Sequence, residues 1–501
     1  MRILLTGATG YVGGCLLGEL LRRGHFVRCL VRNPAKLETS SGLPQERLEV
    51  LSGDASSPEA LARGCAGIDV AYWLVHSMDR GVDFERADRL AAERFATATR
   101  EAGVGRIVYL GGLGADDDTL SAHLRSRHEV GAILRADGQD VVELRASIII
   151  GAGSFSFDLV RTLVERLPLM ICPAWLSTPT QPIAIDDVVA YLAAAAELPP
   201  GGPRTYEIGG PDQVSYGGIM REYARQRGLR RSMIPVPVLT PRLSSLWLKL
   251  VTPRYSKVGR KLIDGLRNPT VVTDTAALVD FGIRPRGFAT AVHEAMVEED
   301  RFFRGRRWAD IADAEELPRR YGGRFERTRL VDHRHARVRV SAENAFAAIE
   351  RIGGTHGWYA HDWLWRFRGW MDRAIGGPGM ARGRRDPNRL CTGDFLDCWR
   401  VEACEPPRRL RLAAEMKLPG RGWLEFEVVP TGTRQGLVTI HQTAVFDPKG
   451  LAGLAYWYAI WPLHELVFRQ MLDGIVRRAV AIAQPVAPAP EKVSRDGTGP
   501  G

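Results

Sequence analysis

The sequence contains few cysteines, and none of the seven belongs to a C-x-x-C pair. Disulfide frameworks and zinc sites are built on closely spaced cysteines, so we expect free thiols in a reducing compartment and no bound metal. The sequence also lacks any Lys/Arg block with interleaved aromatic residues, although its formal net charge is +10. Grooves that bind nucleic acid need that combination, and we therefore expect no nucleic-acid partner.

Long hydrophobic runs are also absent. The most apolar stretch, residues 451–463, is shorter than the ~20 residues that a helix needs to cross a bilayer. Its Tyr and Trp residues suit a membrane interface, but the apolar face continues to Ile475, which favours a packed helix over peripheral membrane contact. The chain begins directly with a strand-like segment, which predicts no signal peptide and a cytoplasmic protein.

A glycine-rich turn opens the chain. The apolar run 3–5 predicts a buried parallel strand, and leucines at helical spacing from Leu16 to Leu21 predict a helix behind it. Glycines between such elements allow a tight turn and a close approach to a pyrophosphate, which the helix N-terminus binds. We therefore predict a dinucleotide site. Its residues are Gly7, Thr9, Gly10, Tyr11, Val12 and Gly13.

The exit of the second predicted strand, 25–31, indicates which dinucleotide binds. Arg32 stands where an NAD site places an acidic residue for the ribose, and an arginine there accommodates a 2′-phosphate instead. Lys36 adds a second positive charge. We predict NADP over NAD as the cofactor. A solvated basic loop is the alternative, because the chain is rich in arginine.

These motifs, with those that follow, resemble the atypical, NmrA-like short-chain dehydrogenase/reductases. The resemblance is carried by 7–13, 30–34, Gly53-Asp54, 72–77, 106–114, 143–151 and 181–188. It implies an α/β fold over residues 1–305, a Rossmann-type doubly wound parallel sheet with a cap on the substrate side. It also implies that Asp54 lies near the adenine, and that His76 and Ser77 follow the cofactor towards the nicotinamide.

The usual active site of that family is not matched. Its Tyr and Lys stand four residues apart on one helix face, and here those positions hold His123 and Arg127. Its Ser position falls in Gly111-Gly112. We predict His123 as the acid–base group and Arg127 as a cationic anchor. The alternative is a polar helix face in a protein that binds the cofactor without carbonyl reduction.

The last third has a different character and holds eight of the twelve tryptophans. Alternation predicts strands at 338–340, 395–401, 410–418, 422–428 and 437–446, and a final helix over 451–483, broken or kinked at Pro462. The charged segment 306–328 is predicted to be a connector. The Pro/Gly-rich tail 485–501 is predicted to be disordered.

Residues 329–484 resemble the α+β helix-grip (SRPBCC/START-like) fold, in a domain of unknown function that bacteria fuse behind this kind of reductase. The motifs are Gly376-Gly377, 382–385, Gly393-Asp394, 415–420 and 456–458. The resemblance implies a small apolar ligand between the curved sheet and the long helix, although the aromatic residues equally suit a packed core.

Three functions remain open. The first is an NADP-dependent oxidoreductase acting on an apolar carbonyl, enone or quinone-like compound. The second is a regulatory protein that senses NADP(H) without turnover. The third is a carrier of a lipid or isoprenoid in which the cofactor is structural. The sequence leaves the oligomeric state undetermined.

Overall fold

The computed structural model describes residues 1–38, 44–75, 84–115, 120–236, 267–305, 324–326, 329–380, 384–431 and 436–484. The chain divides into two compact units, Met1–Gly305 and Arg306–Gly501. Four predictions lie wholly or partly outside the described residues: the cofactor residues His76 and Ser77, the tail 485–501, most of the connector 306–328 and the first half of the motif 382–385.

The first unit alternates strands and helices along most of its length. Its strands are β1 (Arg2–Thr6), β2 (Phe26–Val31), β3 (Leu48–Ser52), β4 (Val70–Trp73), β5 (Arg106–Gly112), β6 (Val141–Ala146), β7 (Ile149–Ile150), β8 (Leu169–Pro173), β9 (Pro179–Thr180), β10 (Ile183–Ala184), β11 (Arg204–Ile208), β12 (Val214–Ser215) and β13 (Ser232–Val236). Its helices are α1 (Tyr11–Arg22), α2 (Ala35–Glu38), α3 (Pro58–Cys65), α4 (Phe84–Glu101), α5 (Ala122–Arg135), α6 (Phe155–Arg166), α7 (Ile185–Ala195), α8 (Tyr216–Gln226), α9 (Ala276–Asp280) and α10 (Phe288–Gly305).

A seven-stranded parallel sheet forms the centre of this unit, in the order β11-β6-β5-β4-β1-β2-β3. Ile3, Leu4 and Leu5 of β1 are fully buried because helices cover both faces. Ile3 and Leu5 pack in the core that includes α1 and α7, and Leu4 packs in the core that includes α3 and α4. The predicted Rossmann-type doubly wound sheet is confirmed, and its strand order reverses between β1 and β4, where such folds bind nucleotides.

A smaller cluster follows the main sheet. The two-stranded pairs β7–β10, β8–β13 and β9–β12 accompany the helices α6, α8 and α10. Its apolar core includes Phe157, Ile219, Tyr223 and Val292. An isolated bridge between Thr180 and Thr270 joins two segments that are distant in the sequence.

The second unit is mainly antiparallel. Its strands are β14 (Arg324–Glu326), β15 (Arg329–Val338), β16 (Phe395–Leu396), β17 (Trp399–Glu405), β18 (Arg409–Ala414), β19 (Gly420–Pro430) and β20 (Val438–Pro448), and its helices are α11 (Ala342–Glu350), α12 (Asp362–Ala374) and α13 (Gly450–Ala483). The sheet order is β14-β15-β20-β19-β18-β17-β16. β14 belongs to a segment that the sequence placed in the connector.

Helix α13 runs without interruption from Gly450 to Ala483, with Pro462 inside it. Of the two predicted outcomes at Pro462, a break or a kink, the break is therefore wrong. Buried side chains on both sides of the proline, among them Trp457, Trp461 and Phe468, hold the helix against the sheet. That burial outweighs the unfavourable helix propensity of one proline. None of the described helices has the length and apolar content needed to cross a membrane.

Candidate cofactor and substrate site

The glycine turn leaves no room for side chains at two positions. Gly7 has φ +77°, and a Cβ there would lie 2.6 Å from the carbonyl oxygen of Leu74. A Cβ at Gly13 would lie 2.2 Å from the carbonyl oxygen of Gly7. The amide of Gly10 donates to that same oxygen at 2.8 Å, which closes the turn. The predicted roles of these glycines therefore have a steric basis.

Helix α1 starts directly after this turn, with Gly10 at its N-cap position. Among the described residues, no side chain caps this end, and the first turn has no acidic residue. The first N–H groups of a helix lack internal partners and carry a partial positive charge. The turn and this helix end fit the pyrophosphate of a dinucleotide.

One cavity of about 300 Å³ is lined both by the glycine turn and by the predicted catalytic pair. Gly7, Gly10, Tyr11, Val12 and Gly13 line it together with His123 and Arg127. The ends of β5 and β6 contribute the backbone around Gly112 and Ala146. Thr9 is exposed and is not part of this lining.

The residues predicted at the adenosine end lie beside the carboxyl ends of β2 and β3, outside this cavity. Arg32 directly follows β2, is exposed, and makes no ion pair within the described part of the chain. Lys36 lies in α2 and is also exposed. Asp54 follows β3 and accepts hydrogen bonds from the amide of Ser56 at 2.9 Å and from its hydroxyl at 2.6 Å.

His123 and Arg127 occupy one face of α5, and hydrogen bonds connect this helix to β5. Ser121 caps α5 by accepting from the amide of Leu124 at 3.3 Å. The hydroxyl of Tyr109 donates to the carbonyl oxygen of Arg127 at 3.0 Å, and burial raises the pKa of that hydroxyl. The ring Nε2 of His128 lies 3.0 Å from the carbonyl oxygen of Gly112. These bonds hold His123 and Arg127, the predicted catalytic pair, at the end of β5.

The predicted Ser position, Gly111-Gly112, holds no hydroxyl. A Cβ at Gly112 would lie 2.7 Å from Cδ2 of Leu124, which is the end of a flexible side chain. A Cβ at Gly111 would lie 3.0 Å from a carboxylate oxygen of Glu143. A rotation of Leu124 makes room for a side chain at Gly112 without a movement of α5.

A hydroxyl cluster at the same cavity was not predicted from the sequence. The hydroxyls of Ser147, Thr180 and Thr270 lie 2.6 Å, 2.7 Å and 2.8 Å from one another. Tyr216 hydrogen-bonds to this group, and burial raises its pKa in spite of those bonds. Ser147, Tyr216 and Thr270 line the cavity. The four residues come from separate segments, so no local pattern marked them.

A second cavity, of about 230 Å³, lies in the second unit between the sheet, α12 and α13. Its lining is dominated by aromatic and aliphatic side chains, including Trp365, Trp399, Phe446, Trp457 and Phe468. The two basic side chains in this lining are Arg368 and His464. Two arginines of the 382–385 motif, Arg384 and Arg385, have partners outside this lining: Arg384 donates to backbone carbonyls and Arg385 pairs with Asp394 at 3.1 Å.

Comparisons with known proteins agree with the division into two units. Residues 7–149 match the family model described as "NAD(P)H-binding". Residues 324–471 match the model described as "Protein of unknown function (DUF2867)". The first unit therefore contains an NAD(P)H-binding domain of the short-chain reductase kind, and the second contains a DUF2867 domain.

Two similar proteins are reductases by name. The ceramide reductase of Caulobacter vibrioides is 27% identical over 265 residues, which cover 52% of this chain and 82% of that protein. The 4-hydroxy-2-methyl-3-oxo-4-farnesyl-3,4-dihydroquinoline-1-oxide ketoreductase of Stigmatella aurantiaca is 26% identical over 318 residues, which cover 57% and 92%. A solved NADPH-dependent quinone oxidoreductase of Escherichia coli, complexed with NADPH, is 19% identical, with coverages of 58% and 99% and a TM-score of 0.48.

Proposed function

We propose that the first unit is an NADP-dependent oxidoreductase that reduces an apolar carbonyl, enone or quinone-like compound. The observation that carries this proposal is the single cavity lined by the glycine turn, His123 and Arg127. The apolar substrate is supported by two similar proteins, one named for ceramide and the other for a farnesyl-bearing compound.

The glycine turn and the N-terminus of α1 would hold the pyrophosphate of the cofactor, and the cofactor when bound would supply a hydride to the electrophilic carbon of the substrate. His123 donates the proton that the substrate oxygen then takes up. Arg127, which stays charged, holds the ribose and stabilises negative charge on that oxygen. Tyr216 is a second hydrogen-bond donor in the lining, and the raised pKa of its hydroxyl keeps it protonated at neutral pH.

The preference for NADP follows from Arg32 and Lys36. We expect NADPH to bind at least tenfold more tightly than NADH, which is about 1.4 kcal/mol. Calorimetric titration of the parent and of Arg32→Asp tests this, because the variant should lose the margin. Arg337→Asp, an exposed arginine of the second unit, is the control. If neither nucleotide binds, the cofactor proposal fails.

Catalysis is tested by NADPH oxidation with a panel of hydrophobic ketones, enones and quinones. We expect His123→Ala to lower kcat by about 100-fold or more while NADPH binding is unchanged. His293→Ala, an exposed histidine in α10, is the control and should keep full activity. If His123→Ala leaves kcat unchanged and Tyr216→Phe lowers kcat strongly, the proton donor is Tyr216 and not His123.

A second candidate is an NADP(H)-sensing protein without turnover. The absence of the usual Ser, Tyr and Lys, whose positions hold Gly111-Gly112, His123 and Arg127, favours it. Tight NADPH binding with no oxidation across the whole panel would select this candidate over the reductase.

We further propose that the second unit has the helix-grip (SRPBCC/START-like) architecture and holds an apolar ligand, such as a lipid or isoprenoid. The order of its elements supports this: two strands, two helices, five antiparallel strands and a long final helix. The second cavity, between the sheet and α13, supports ligand binding. Lipid that copurifies with the full chain, identified by mass spectrometry, would support this role, which is independent of turnover.

A further inference from the structure

His464 is a buried polar group in the wall of the second cavity. It is 8% exposed, although most of its neighbours in the lining are apolar. Its ring stacks on Phe468 with 3.9 Å between the ring centroids, and on Trp461 with 5.3 Å. The orientation of the imidazole is therefore set by packing on two sides.

One ring nitrogen of His464 has a buried partner. Nε2 lies 3.0 Å from Oδ2 of Asp332, which also accepts from Arg334 at 2.8 Å. Burial alone would raise the pKa of Asp332. His464 and Arg334 together lower that pKa by more than burial raises it, so the net shift is downward and the carboxyl is ionised. An ionised carboxylate only accepts hydrogen bonds, and Nε2 of His464 therefore carries the proton.

The other ring nitrogen, Nδ1, makes no hydrogen bond to any described residue. Nδ1 accepts a hydrogen bond when Nε2 alone carries a proton, and it donates one when both ring nitrogens are protonated. In the same lining, the buried indole nitrogens of Trp365 and Trp399 have no hydrogen-bond partner among the described residues. Unsatisfied buried polar groups are rare in native proteins, and they point to a ligand.

We propose that this cavity binds a flat aromatic phenol of about two rings, whose hydroxyl group forms a hydrogen bond with Nδ1 of His464. An apolar cavity of about 150 Å³ holds benzene, so 230 Å³ suits a second ring. The tryptophans of the lining offer faces for stacking. This inference rests on the proposed ligand-binding role of the second unit and is independent of the reductase activity of the first.

Equilibrium dialysis of the full chain with 2-naphthol and with naphthalene tests the proposal. We expect the parent to bind 2-naphthol about tenfold more tightly than naphthalene, a gain typical of one buried hydrogen bond. His464→Phe should bind 2-naphthol no better than naphthalene, while its affinity for naphthalene is unchanged. His464→Met repeats the test with a flexible apolar side chain if the Phe variant misfolds.

His335→Phe is the matched control, because His335 is exposed on β15 and is not in the lining. Equal affinities for the two probes in the parent would overturn the role of His464. An equal loss of both probes in both His464 variants would show only a structural role and would also overturn it. Failure of both probes to bind the parent would overturn the ligand proposal and leave the reductase proposal intact.

A separate observation concerns the exposed face of α12. Trp363 and Trp370 are each 64% exposed, and Phe367 between them is 52% exposed. The spacing of 363, 367 and 370 places all three on one side of the helix. Exposed aromatic residues grouped in this way are unusual on a soluble surface and mark an interaction site.

We infer that this stripe, Trp363, Phe367 and Trp370, binds an anionic lipid surface. Trp and Phe side chains suit the headgroup region. The neighbouring Arg366 and Arg373 are exposed and complement anionic lipids. Phe367 also lines the apolar cavity, which connects the stripe to the ligand site. The segment 451–463, by contrast, buries Trp457 and Trp461.

Sedimentation of the full chain with vesicles of phosphatidylcholine, with and without 30 mol% phosphatidylserine, about a third of the lipid, tests this inference. We expect binding to the anionic vesicles that falls at least tenfold in the double variant Trp363→Ser/Trp370→Ser. Val279→Ser, an exposed apolar residue of the first unit, is the control and should bind like the parent. Equal binding of parent and double variant would overturn the inference. A dimer that only the parent forms, without vesicle binding, would also overturn it.

Discussion

At the scale of single residues, the cofactor turn has no room for a side chain at Gly13. A Cβ there would lie 2.2 Å from the carbonyl oxygen of Gly7, which the turn cannot move without opening the Gly10–Gly7 hydrogen bond. Gly18 lies in the same helix, and no described atom lies within 4 Å of the position its Cβ would take. A comparison of alanine substitutions at Gly13 and Gly18 therefore distinguishes the steric effect of a methyl group in the turn from its effect on helix stability.

We expect Gly13→Ala to weaken NADPH binding at least tenfold and to lower the free energy of unfolding by about 1–3 kcal/mol, because the methyl group overpacks the turn. Gly18→Ala should leave binding unchanged and raise the free energy of unfolding by up to about 1 kcal/mol, since alanine favours the helix. Calorimetric titration and denaturant unfolding measure both effects. Unchanged binding in Gly13→Ala would contradict the steric argument.

At the scale of elements, the end of α12 depends on one buried carboxylate. Asp372 is 1% exposed and accepts hydrogen bonds from the amides of Gly379 at 2.8 Å and Lys417 at 2.7 Å. A Cβ at Gly377 would lie 2.3 Å from one of its oxygens, so the loop after α12 wraps closely around the carboxylate. Asp372 thus joins α12 to the segment before β19.

We expect Asp372→Ala to lower the free energy of unfolding of the second unit by about 2–4 kcal/mol, because the buried amide of Gly379 and the half-buried amide of Lys417 lose their acceptor. Asp372→Asn, which keeps one acceptor oxygen, should lose less. Asp473→Ala, an exposed carboxylate on α13, is the control and should stay within about 0.5 kcal/mol. Tryptophan fluorescence during denaturant unfolding measures these changes. Equal free energies of unfolding for Asp372→Ala and Asp473→Ala would refute the stabilising role of Asp372.

At the scale of the whole molecule, each unit has its own hydrophobic core. The largest cluster of the first unit includes residues from Ile3 to Ala277, and that of the second includes residues from Val338 to Ala479. None of the described core residues belongs to both clusters. Each unit therefore contains the buried apolar surface that an independently folding domain needs.

We expect two transitions in differential scanning calorimetry of the full chain. NADPH at 100 times its Kd should stabilise the first unit by about 2.7 kcal/mol and raise its Tm by about 4 °C. The transition of the second unit should not move, because the cofactor binds only the first. At the same NADPH concentration, the Tm of the first unit should rise less in Gly13→Ala than in the parent, because the variant binds NADPH more weakly. A single transition that NADPH raises as a whole would contradict this prediction.

The sequence alone determined the order of elements and the cofactor turn. Both depend on local patterns: short apolar runs make buried strands, and the glycines at 7, 10 and 13 allow one particular turn. The order of the parallel strands then follows from the general chirality and connection rules of such folds. In the last third, the predicted strands 410–418, 422–428 and 437–446 correspond to β18, β19 and β20. The predicted strand 338–340 meets β15 only at Val338, and 395–401 covers β16 and the start of β17, so these two predictions were wrong in their bounds.

Only the tertiary structure decided which distant side chains meet. The hydroxyls of residues 147, 180, 216 and 270, and the pair His464–Asp332, come together across long sequence separations. Burial against the sheet also decided that α13 continues through Pro462, and the packing around α12 left Trp363 and Trp370 exposed. Contacts of this kind depend on how whole helices and strands pack against one another, and a local sequence pattern does not specify that packing.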